Sequence, residues 1–203
     1  MTYAYLVSQL IYDLMSYCPA CGHKTIEAIP AGDDTLRQVC PLCGHVHYEN
    51  PKILVACIVY EGDKVLWIKR AHEPYTGRWA VPAGFMERGE TVLGAACREF
   101  REETGLTLLH DKVKLYSVLS LPDIDQVYIT YFAPLPSHDF HVTAETLDIR
   151  LLSQSEIAGY DIAYPPQMDS LISQLYRELQ AGGINAKVPH SAELRSGGQP
   201  DQV

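Results

Sequence analysis

The sequence lacks an excess of basic residues and any long apolar run. It contains 16 Lys and Arg residues against 25 Asp and Glu residues, and its net charge is −9. Because binding along a nucleic-acid backbone calls for basic patches, this balance disfavours nucleic acid as a partner. An acidic protein that binds phosphates needs a cation to mediate the contact. No apolar run reaches the roughly 20 residues that span a bilayer, so we expect no membrane partner.

The apolar N-terminal segment, residues 1–15, lacks the basic region and the small-residue cleavage site of a secretory signal. We therefore expect a reducing, cytoplasmic compartment, where structural disulfides are uncommon. Two interpretations of the segment stay open: a helix packed on the protein, or a misplaced start, since Met15 almost directly precedes the first cysteine pair. Residues 181–203 are polar and rich in Gly and Pro, which predicts a disordered tail.

Two Cys-x2-Cys pairs stand in residues 16–49, with 18 residues between them. Their members are Cys18 and Cys21, then Cys40 and Cys43. This spacing is typical of a four-cysteine zinc site, because each tight turn presents two thiolates to one ion. A closed shell of four thiolates leaves no open position, so the predicted Zn²⁺ is structural. The alternative is two separate redox pairs.

The other cysteines and three nearby histidines fit simpler roles. Cys57 and Cys97 stand among apolar residues, and we expect both to be buried as small hydrophobic side chains. His23, His45 and His47 flank the cysteine pairs, but four thiolates already complete a zinc site. We therefore expect them to be surface histidines.

Residues 50–180 alternate between strand-like and helix-like segments, which predicts an α/β domain with a sheet covered by helices. Gly105 is expected to end the helix predicted at residues 90–104 as its C-cap. The predicted strands cover residues 52–60, 64–70, 112–121, 126–135 and 147–153, with a short strand followed by a loop in 78–85. The predicted helices cover residues 90–104, 155–160 and 167–180.

The helix predicted at residues 90–104 carries three clustered carboxylates. Glu99, Glu102 and Glu103 stand at i, i+3 and i+4, so they share one side of the helix. Like charges at this spacing repel one another by a few tenths of a kcal/mol. The basic residues between them, Arg98 and Arg101, are expected to point elsewhere.

The acidic side of this helix borders its predicted buried stripe. The stripe consists of apolar residues at i, i+3, i+4 and i+7, namely Leu93, Ala96, Cys97 and Phe100. Carboxylates beside a core face are expected where a hard divalent cation binds, and Mg²⁺ combines a few carboxylates with waters and phosphate oxygens. The alternative is an acidic, solvated face without a ligand.

Residues 84–106, GFMERGETVLGAACREFREETGL, resemble the 23-residue box of the Nudix hydrolases. Every fixed position of that box is filled, and Phe100 stands where an aliphatic residue is more usual. The resemblance covers about residues 50–180. It implies the Nudix α/β/α sandwich, with the box forming a loop, a helix and a second loop, preceded here by a small four-cysteine zinc ribbon.

The resemblance also implies roles for individual residues. Glu99, Glu102 and Glu103 would be catalytic ligands of Mg²⁺ or Mn²⁺. A further carboxylate from outside the box often acts as a base or ligand, and Glu145 resembles it, with Glu156 as a weaker candidate. The structural residues of the box would be the loop-holding pair Glu90 and Arg98, and the glycines that allow unusual backbone geometry, Gly84, Gly89 and Gly105.

The expected substrate is a dinucleotide or nucleotide sugar. Zinc-ribbon Nudix enzymes include NADH pyrophosphatases, whose SQPWPFPxS motif is absent here, and FAD and ADP-ribose pyrophosphatases, which this sequence resembles more closely. Pro122 resembles a proline associated with ADP-ribose hydrolysis, although it also suits an ordinary turn. Arg70 is a candidate phosphate contact and Tyr128 a candidate ring-stacking residue. Core packing is expected for the other aromatics, Trp79, Tyr131 and Phe132.

The resemblance thus implies metal-dependent cleavage of a pyrophosphate bond, with FAD or ADP-ribose as substrate and AMP as one product. Three alternatives stay open: an NAD(H) pyrophosphatase, removal of an NAD cap from RNA, and a Nudix-like domain that senses nucleotides without cleaving them. By analogy, a homodimer is expected.

Overall fold

The computed structural model describes residues 17–163, 169–182, 184 and 190–193. The interpretations of residues 1–15 and of most of the C-terminal tail lie outside these residues. The chain forms two compact units that divide between Asn50 and Pro51. Among the described residues, no helix combines the length and apolar character needed to cross a bilayer.

The N-terminal unit contains a three-stranded antiparallel sheet in the order β1-β2-β3. Its apolar side chains include Ile26, Leu36 and Leu42, and all three are exposed. A hydrophobic core therefore contributes little to this unit, which depends on its cysteines. The strands are β1 (Ile26–Ala28), β2 (Arg37–Val39) and β3 (Val46–His47).

The second unit is built on an eight-stranded mixed sheet. Its main path runs β10-β5-β4-β9-β8-β11, while β6 pairs with β5 and β7 pairs with β4. Two neighbouring pairs, β4 with β9 and β8 with β11, are parallel, and the other pairs are antiparallel. The strands are β4 (Lys52–Glu61), β5 (Lys64–Arg70), β6 (Trp79–Ala80), β7 (Ala83–Phe85), β8 (Lys114–Leu121), β9 (Gln126–Pro134), β10 (Thr146–Leu152) and β11 (His190–Glu193).

Helices cover both faces of this sheet. They are α1 (Val92–Thr104), the short α2 (Gln154–Ile157) and α3 (Asp169–Gln180), with 3-10 turns at His110–Lys112 and Pro122–Ile124. Successive side chains of a strand point to opposite faces. Accordingly Cys57 of β4 packs in one cluster with Phe100 of α1, whereas Ile58 packs in another with Leu175 of α3. This arrangement confirms the predicted α/β/α sandwich.

The central strand β4 has a continuously apolar sequence because it is buried on both faces. Residues 55–59 are all buried, because helices cover the strand on both sides. Two polar aromatic side chains on the α3 side, Trp67 and Tyr176, have their polar atoms hydrogen-bonded in series. The indole Nε1 of Trp67 donates to the hydroxyl of Tyr176 at 2.8 Å, and that hydroxyl donates to the carbonyl of Leu152 at 2.9 Å.

The boundaries of α1 follow from its caps. The Thr91 hydroxyl accepts from the backbone N–H of Gly94 at 3.0 Å, so the helix begins at Val92, two residues later than predicted. Gly105 ends it in the left-handed region, with φ of 76°, which confirms the predicted C-cap.

Two predictions about burial and the tail require correction. The buried stripe of α1 consists of Ala95, Ala96, Phe100, Glu103 and Thr104, whereas the predicted stripe members Leu93 and Cys97 are only partly buried. The helix is thus rotated about its axis, so that part of its acidic side is buried against the sheet. At the C-terminus, β11 pairs in parallel with β8 within the stretch predicted to be disordered, so the structure departs from that prediction for these four residues.

Candidate metal centres and active site

The loop between β7 and α1 is tied down by Glu90. Its Oε2 accepts from the backbone N–H of Glu87 at 2.9 Å, and its own N–H donates to the Glu87 carbonyl at 3.3 Å. Gly89 lies between them with φ of 87°, a conformation that favours glycine. These contacts place the loop directly before α1.

Arg98 is the cationic centre of the box. Its Nε and Nη2 donate to the two Glu90 oxygens at 2.6 and 2.9 Å, and Nη2 also reaches the Phe85 carbonyl at 3.1 Å. Such bidentate pairs are the strongest ionic contacts in proteins. The hydrogen bond from Arg98, followed by that from the Glu87 backbone, lowers the pKa of Glu90 to about 2. These contacts give Glu90 and Arg98 the pairing that the box implies.

Arg98 also corrects a prediction, because it does not point away from the carboxylates. Its Nη1 donates to Glu99 Oε1 and to Glu102 Oε2, both at 2.8 Å. The long arginine side chain lets Nη1 reach both Glu99, the next residue, and Glu102, one helical turn later. The guanidinium thereby neutralises part of the like-charge repulsion between the two carboxylates.

Glu103 is the most buried of the three carboxylates. Its side chain packs against the sheet with only 5% of the residue exposed, and Oε2 accepts from the backbone N–H of Ala83 at 2.9 Å. Burial raises the pKa of Glu103 to about 8, and the negative charges of Glu99 and Glu145 add to the increase. The Ala83 hydrogen bond and the positive charge of Arg70 oppose it. Without a metal, this carboxyl is mostly protonated at neutral pH.

Glu99 lies against the backbone of β7. A Cβ atom built on Gly84 would collide with the Glu99 carboxylate, so the close approach requires glycine at that position. Gly84 does not adopt a left-handed φ, unlike Gly105, and its role is space rather than backbone conformation. Burial raises the pKa of Glu99, and the neighbouring Arg98 lowers it.

Glu145 is exposed in the loop that leads into β10. Its carbonyl accepts from the N–H of Ala71 at 3.0 Å, which ties this loop to the end of β5. The charge of Glu145 raises the pKa of both Glu99 and Glu103. The structure therefore brings Glu145 to the acidic side of α1.

Glu156, the weaker sequence candidate, lies elsewhere. Its carboxylate caps α2 by accepting from the Ser153 N–H at 2.8 Å, and it pairs with Lys64 Nζ at 3.4 Å. Both interactions are structural, and they give no support to the weaker prediction that Glu156 is the further carboxylate of the site.

The donor chemistry of α1 suits a hard divalent cation. In the part of the chain that the structure describes, only the four cysteines bring three or more potential ligand atoms within 4.8 Å of one another, so the α1 carboxylates do not converge on one point. Instead, Arg98 Nη1 contacts both Glu99 and Glu102. These two carboxylates can therefore bind one positively charged group together. Mg²⁺ takes few protein carboxylates and fills its remaining positions with waters and phosphate oxygens. The residues therefore fit that ion.

The four cysteines of the N-terminal unit converge as predicted. Three Sγ–Sγ distances measure 3.5–3.6 Å, between Cys18 and Cys43, Cys21 and Cys40, and Cys21 and Cys43. Tetrahedral Zn²⁺ with bonds of about 2.3 Å separates its sulfur ligands by about 3.8 Å, which these distances fit. Among the described residues, no histidine joins the cluster.

The other sequence candidates fall on both sides of the sheet. Tyr128 and Phe132 of β9 face the α3 side, with Tyr128 partly and Phe132 fully buried, whereas Tyr131 faces α1. Trp79 is buried, as expected for a core residue. Pro122 opens a 3-10 turn between β8 and β9, the ordinary turn role that was considered for it.

Arg70 ends β5 beside the acidic cluster. Its Nε donates to the Pro74 carbonyl at 3.1 Å. Its positive charge lowers the pKa of both Glu103 and Tyr128 against the upward effect of burial. Arg70 thus lies close enough to Glu103 and to Tyr128 for its charge to act on both.

Sequence reasoning missed the backbone N–H of Ala83 and the close approach at Gly84. Both belong to the segment immediately before the box helix, where a backbone group and a missing side chain leave no chemical signature of their own. The glycine at the first position of the box was a signal for this site, but unusual backbone geometry was the wrong explanation for it, because the Glu99 carboxylate needs the space.

Replacing Gly84 with alanine is expected to weaken metal binding at the site and to leave the stability of the fold nearly unchanged. The new Cβ displaces the Glu99 carboxylate, whose flexible side chain can move at a cost of less than about 1 kcal/mol in unfolding free energy. Divalent-metal affinity, measured by calorimetric titration with Mn²⁺, should fall at least about tenfold. Gly159→Ala is the matched control, because its Cβ would meet only the Glu156 carbonyl at 3.7 Å. Equal metal affinity in both variants would contradict the assigned role of Gly84.

Both units of the chain match known protein families. Residues 50–175 match the NUDIX domain, and residues 16–49 match the zinc-ribbon family described as Nudix N-terminal. The chain belongs to the NUDIX family, and the resemblance inferred from residues 84–106 is confirmed. The α/β/α sandwich described above is the Nudix fold.

Three relatives illustrate the range of this family. A NUDIX hydrolase structure from Nitrosomonas europaea is 40% identical, covers 88% of this chain and 98% of its own, and superposes with a TM-score of 0.76. An ADP-ribose pyrophosphatase of Methanocaldococcus jannaschii is 47% identical over 79 residues, which is 38% of this chain and 45% of that protein. The NAD-capped RNA hydrolase NudC of Haemophilus influenzae is 38% identical over 99 residues, 45% of this chain and 34% of that protein. The matches thus span less than half the length of these two curated relatives.

Proposed function

We propose that this protein hydrolyses the pyrophosphate bond of a nucleoside diphosphate derivative, with FAD or ADP-ribose as substrate. The products would be AMP together with FMN or ribose 5-phosphate. The observation that carries this proposal is the group of Glu99, Glu102, Glu103 and Glu145, whose charges act on one another, with the Glu99 carboxylate lying against Gly84. The identity to an ADP-ribose pyrophosphatase supports the choice of substrate.

The carboxylates would hold Mg²⁺ or Mn²⁺ in the working enzyme, with Glu99, Glu102 and Glu103 from α1 and Glu145 from its loop. When bound, such an ion neutralises charge on phosphate oxygens and lowers the pKa of a water. Binding requires that Glu103 release its proton, because its pKa is raised to about 8. It also requires that Glu99 and Glu102 exchange their contacts with Arg98 for the ion.

The remaining residues would orient the substrate. Glu90 and Arg98 hold the loop before α1, so that the carboxylates keep fixed positions. Arg70 would contact a phosphate, since its Nε is fixed by Pro74 and its charge acts on the acidic cluster. Tyr128 would lie near the ring of the nucleotide, with Pro122 shaping the turn before its strand. Glu145, the one exposed carboxylate of the set, would be a ligand or the base.

A second candidate is hydrolysis of NAD(H), free or as the cap of RNA. The identity to NudC favours it. The absent SQPWPFPxS motif and the net charge of −9 weigh against it. We also propose that the enzyme works as a homodimer in a reducing cytoplasm on small dinucleotides or nucleotide sugars. A nucleotide sensor without turnover is the remaining alternative.

The test is product analysis after parallel incubation with FAD, ADP-ribose and NADH, each with and without Mg²⁺. We expect AMP plus FMN, or AMP plus ribose 5-phosphate, only when the metal is present, and slower cleavage of NADH. Fastest cleavage of NADH would favour the second candidate. Binding of ADP-ribose without turnover at any metal concentration would establish a sensor and reject the proposal.

A further inference from the structure

The loop between β9 and β10, residues 135–145, carries Glu145 at its last position. The end of this loop is fixed to β5, because the Ala71 N–H donates to the Glu145 carbonyl at 3.0 Å. The next residue, Thr146, begins β10 and pairs with Arg70 of β5. The side chain of Glu145 is exposed, whereas its backbone is hydrogen-bonded. The position of this carboxylate therefore depends on how the loop is anchored.

The middle of the loop is tied to the C-terminal end of α1 by His141. The His141 N–H donates to the carbonyl of Thr104, the last residue of α1, at 3.0 Å. The last four carbonyls of a helix have no partner within the helix, so they are free to accept such a bond. The hydrogen bond connects the Glu145 loop to the helix that carries the other three carboxylates.

The imidazole of His141 also packs against Gly105. A Cβ atom built on Gly105 would collide with three atoms of this ring, Nδ1, Cε1 and Nε2, so the contact requires glycine. Gly105 thus meets two demands, because it ends α1 with a φ of 76° and leaves room for the ring. Phe140, the preceding loop residue, packs against the core cluster that includes Leu106. Backbone and side-chain contacts together fix the loop at this point.

Thr143 fixes the backbone of Glu145 directly. The Glu145 N–H donates to the Thr143 hydroxyl oxygen at 3.1 Å, and the Thr143 N–H donates to the hydroxyl oxygen of Thr146 at 3.0 Å. Thr146 is itself buried. A hydroxyl that accepts from the N–H two residues later holds the chain in a tight turn. The N–H of Glu145 is therefore held by Thr143, and its carbonyl by Ala71.

We propose that His141 and Thr143 are positioning residues for Glu145, the first by fixing the loop to the end of α1 and the second by fixing the Glu145 backbone. This inference rests on the proposed function, in which Glu145 is a metal ligand or the base. Such a group must be held within about 0.5 Å of its productive position. Because the charge of Glu145 raises the pKa of Glu99 and of Glu103, the anchored loop already places it at the acidic side of α1.

The test of Thr143 compares two substitutions. Thr143→Val keeps the shape of the side chain and removes the hydroxyl, whereas Thr143→Ser keeps the hydroxyl. We expect Thr143→Val to lower kcat for ADP-ribose about tenfold and to leave KM within twofold, because a displacement of about 1 Å can cost up to 10²-fold in rate. Thr143→Ser should restore kcat to within twofold of the wild type.

The test of His141 uses a second histidine of the same loop as its control. His141→Ala removes the ring that packs on Gly105 and should lower kcat about fivefold. His138→Ala should leave kcat within twofold, because His138 is exposed and contacts Glu61 at 3.1 Å, away from α1.

A double-mutant cycle with Glu145→Gln separates positioning from a general loss of structure. The single substitution Glu145→Gln should lower kcat about 10²-fold. In that background, Thr143→Val and His141→Ala should change kcat by less than twofold, because both act through the Glu145 carboxylate. Equal losses in the wild-type and Glu145→Gln backgrounds would overturn the inference, and so would wild-type kcat in Thr143→Val.

The same cycle is measured for the binding of Mn²⁺ alone, without substrate. If Mn²⁺ affinity shows the expected non-additivity but no substrate is cleaved, the positioning role stands and the proposed hydrolysis fails. If Mn²⁺ affinity is unchanged throughout and kcat shows the non-additivity, Glu145 is the base and the positioning role again stands. If neither quantity responds to Glu145→Gln, this carboxylate has no role for which it is positioned, and the inference is overturned.

Discussion

Replacing Glu103 with glutamine is expected to lower kcat for ADP-ribose at least about 10³-fold. Glutamine keeps the size of the side chain and can still accept the hydrogen bond from the Ala83 N–H, so the protein should remain folded. It cannot carry the negative charge that a divalent ion requires. Initial rates at saturating substrate and Mg²⁺ measure the effect.

Glu87→Gln is the matched control, because Glu87 is an exposed carboxylate in the loop before α1 and is not one of the proposed metal ligands. It should retain activity within twofold of the wild type. If Glu103→Gln also retained full activity, Glu103 would not be a metal ligand. An equal loss in both variants would point to a general effect of charge.

Glu103→Gln is also expected to change how the free energy of unfolding depends on pH, when zinc is retained and no other metal is added. Glu103 has a folded-state pKa of about 8 against an ordinary value of 4.5, so between these values the unfolded state holds fewer protons. Stability of the wild type should therefore fall as pH rises from about 4.5 to 8, by up to a few kcal/mol. Urea unfolding at several pH values should show this decrease in the wild type, and glutamine should remove most of it. A parallel pH dependence in both proteins would contradict the buried, protonated state of Glu103.

Removing zinc is expected to unfold the N-terminal unit and to leave the Nudix unit folded. Few apolar side chains are buried in residues 17–49, and structural zinc contributes about 10–16 kcal/mol in small modules of this kind. After verified zinc removal, backbone hydrogen exchange in residues 17–49 should reach the rate of an unfolded chain. Exchange in β4, β9 and α1 should stay slow, and added Mn²⁺ should still bind.

Cys18→Ser should reproduce the effect of zinc removal, since Cys18 is buried within the sulfur cluster. Cys97→Ser is the control, because Cys97 lies on α1 outside that cluster. Unchanged exchange in residues 17–49 after the metal is gone would show that the unit folds without zinc.

Local patterns explain what the sequence could predict. The two cysteine pairs, the i, i+3 and i+4 carboxylates of α1 and the Gly105 cap each depend on spacing along the chain, and each is found in the structure. The long strand β4 was equally clear, because burial on both faces demands a continuous apolar run.

Contacts between distant segments explain what it could not. The position of Arg98 depends on how the loop before α1 folds back, which no periodicity encodes. The Glu103 contact with Ala83 depends on the packing of α1 against β7. Tyr75 has no distinguishing pattern in the sequence, and its left-handed φ of 72° is evident only in the structure. The strand β11 pairs across many residues with β8, and polar composition alone predicted disorder there.

Titration of Mn²⁺ into the protein, followed by the loss of the free-ion signal in electron paramagnetic resonance, tests the central claim most directly. We expect saturable binding that tightens as pH rises through about 8, as the Glu103 proton is displaced. Binding should weaken at least about tenfold in Glu103→Gln and remain unchanged in Glu87→Gln. Equal binding by all three proteins would contradict the assignment of the α1 carboxylates as the metal site of this Nudix domain.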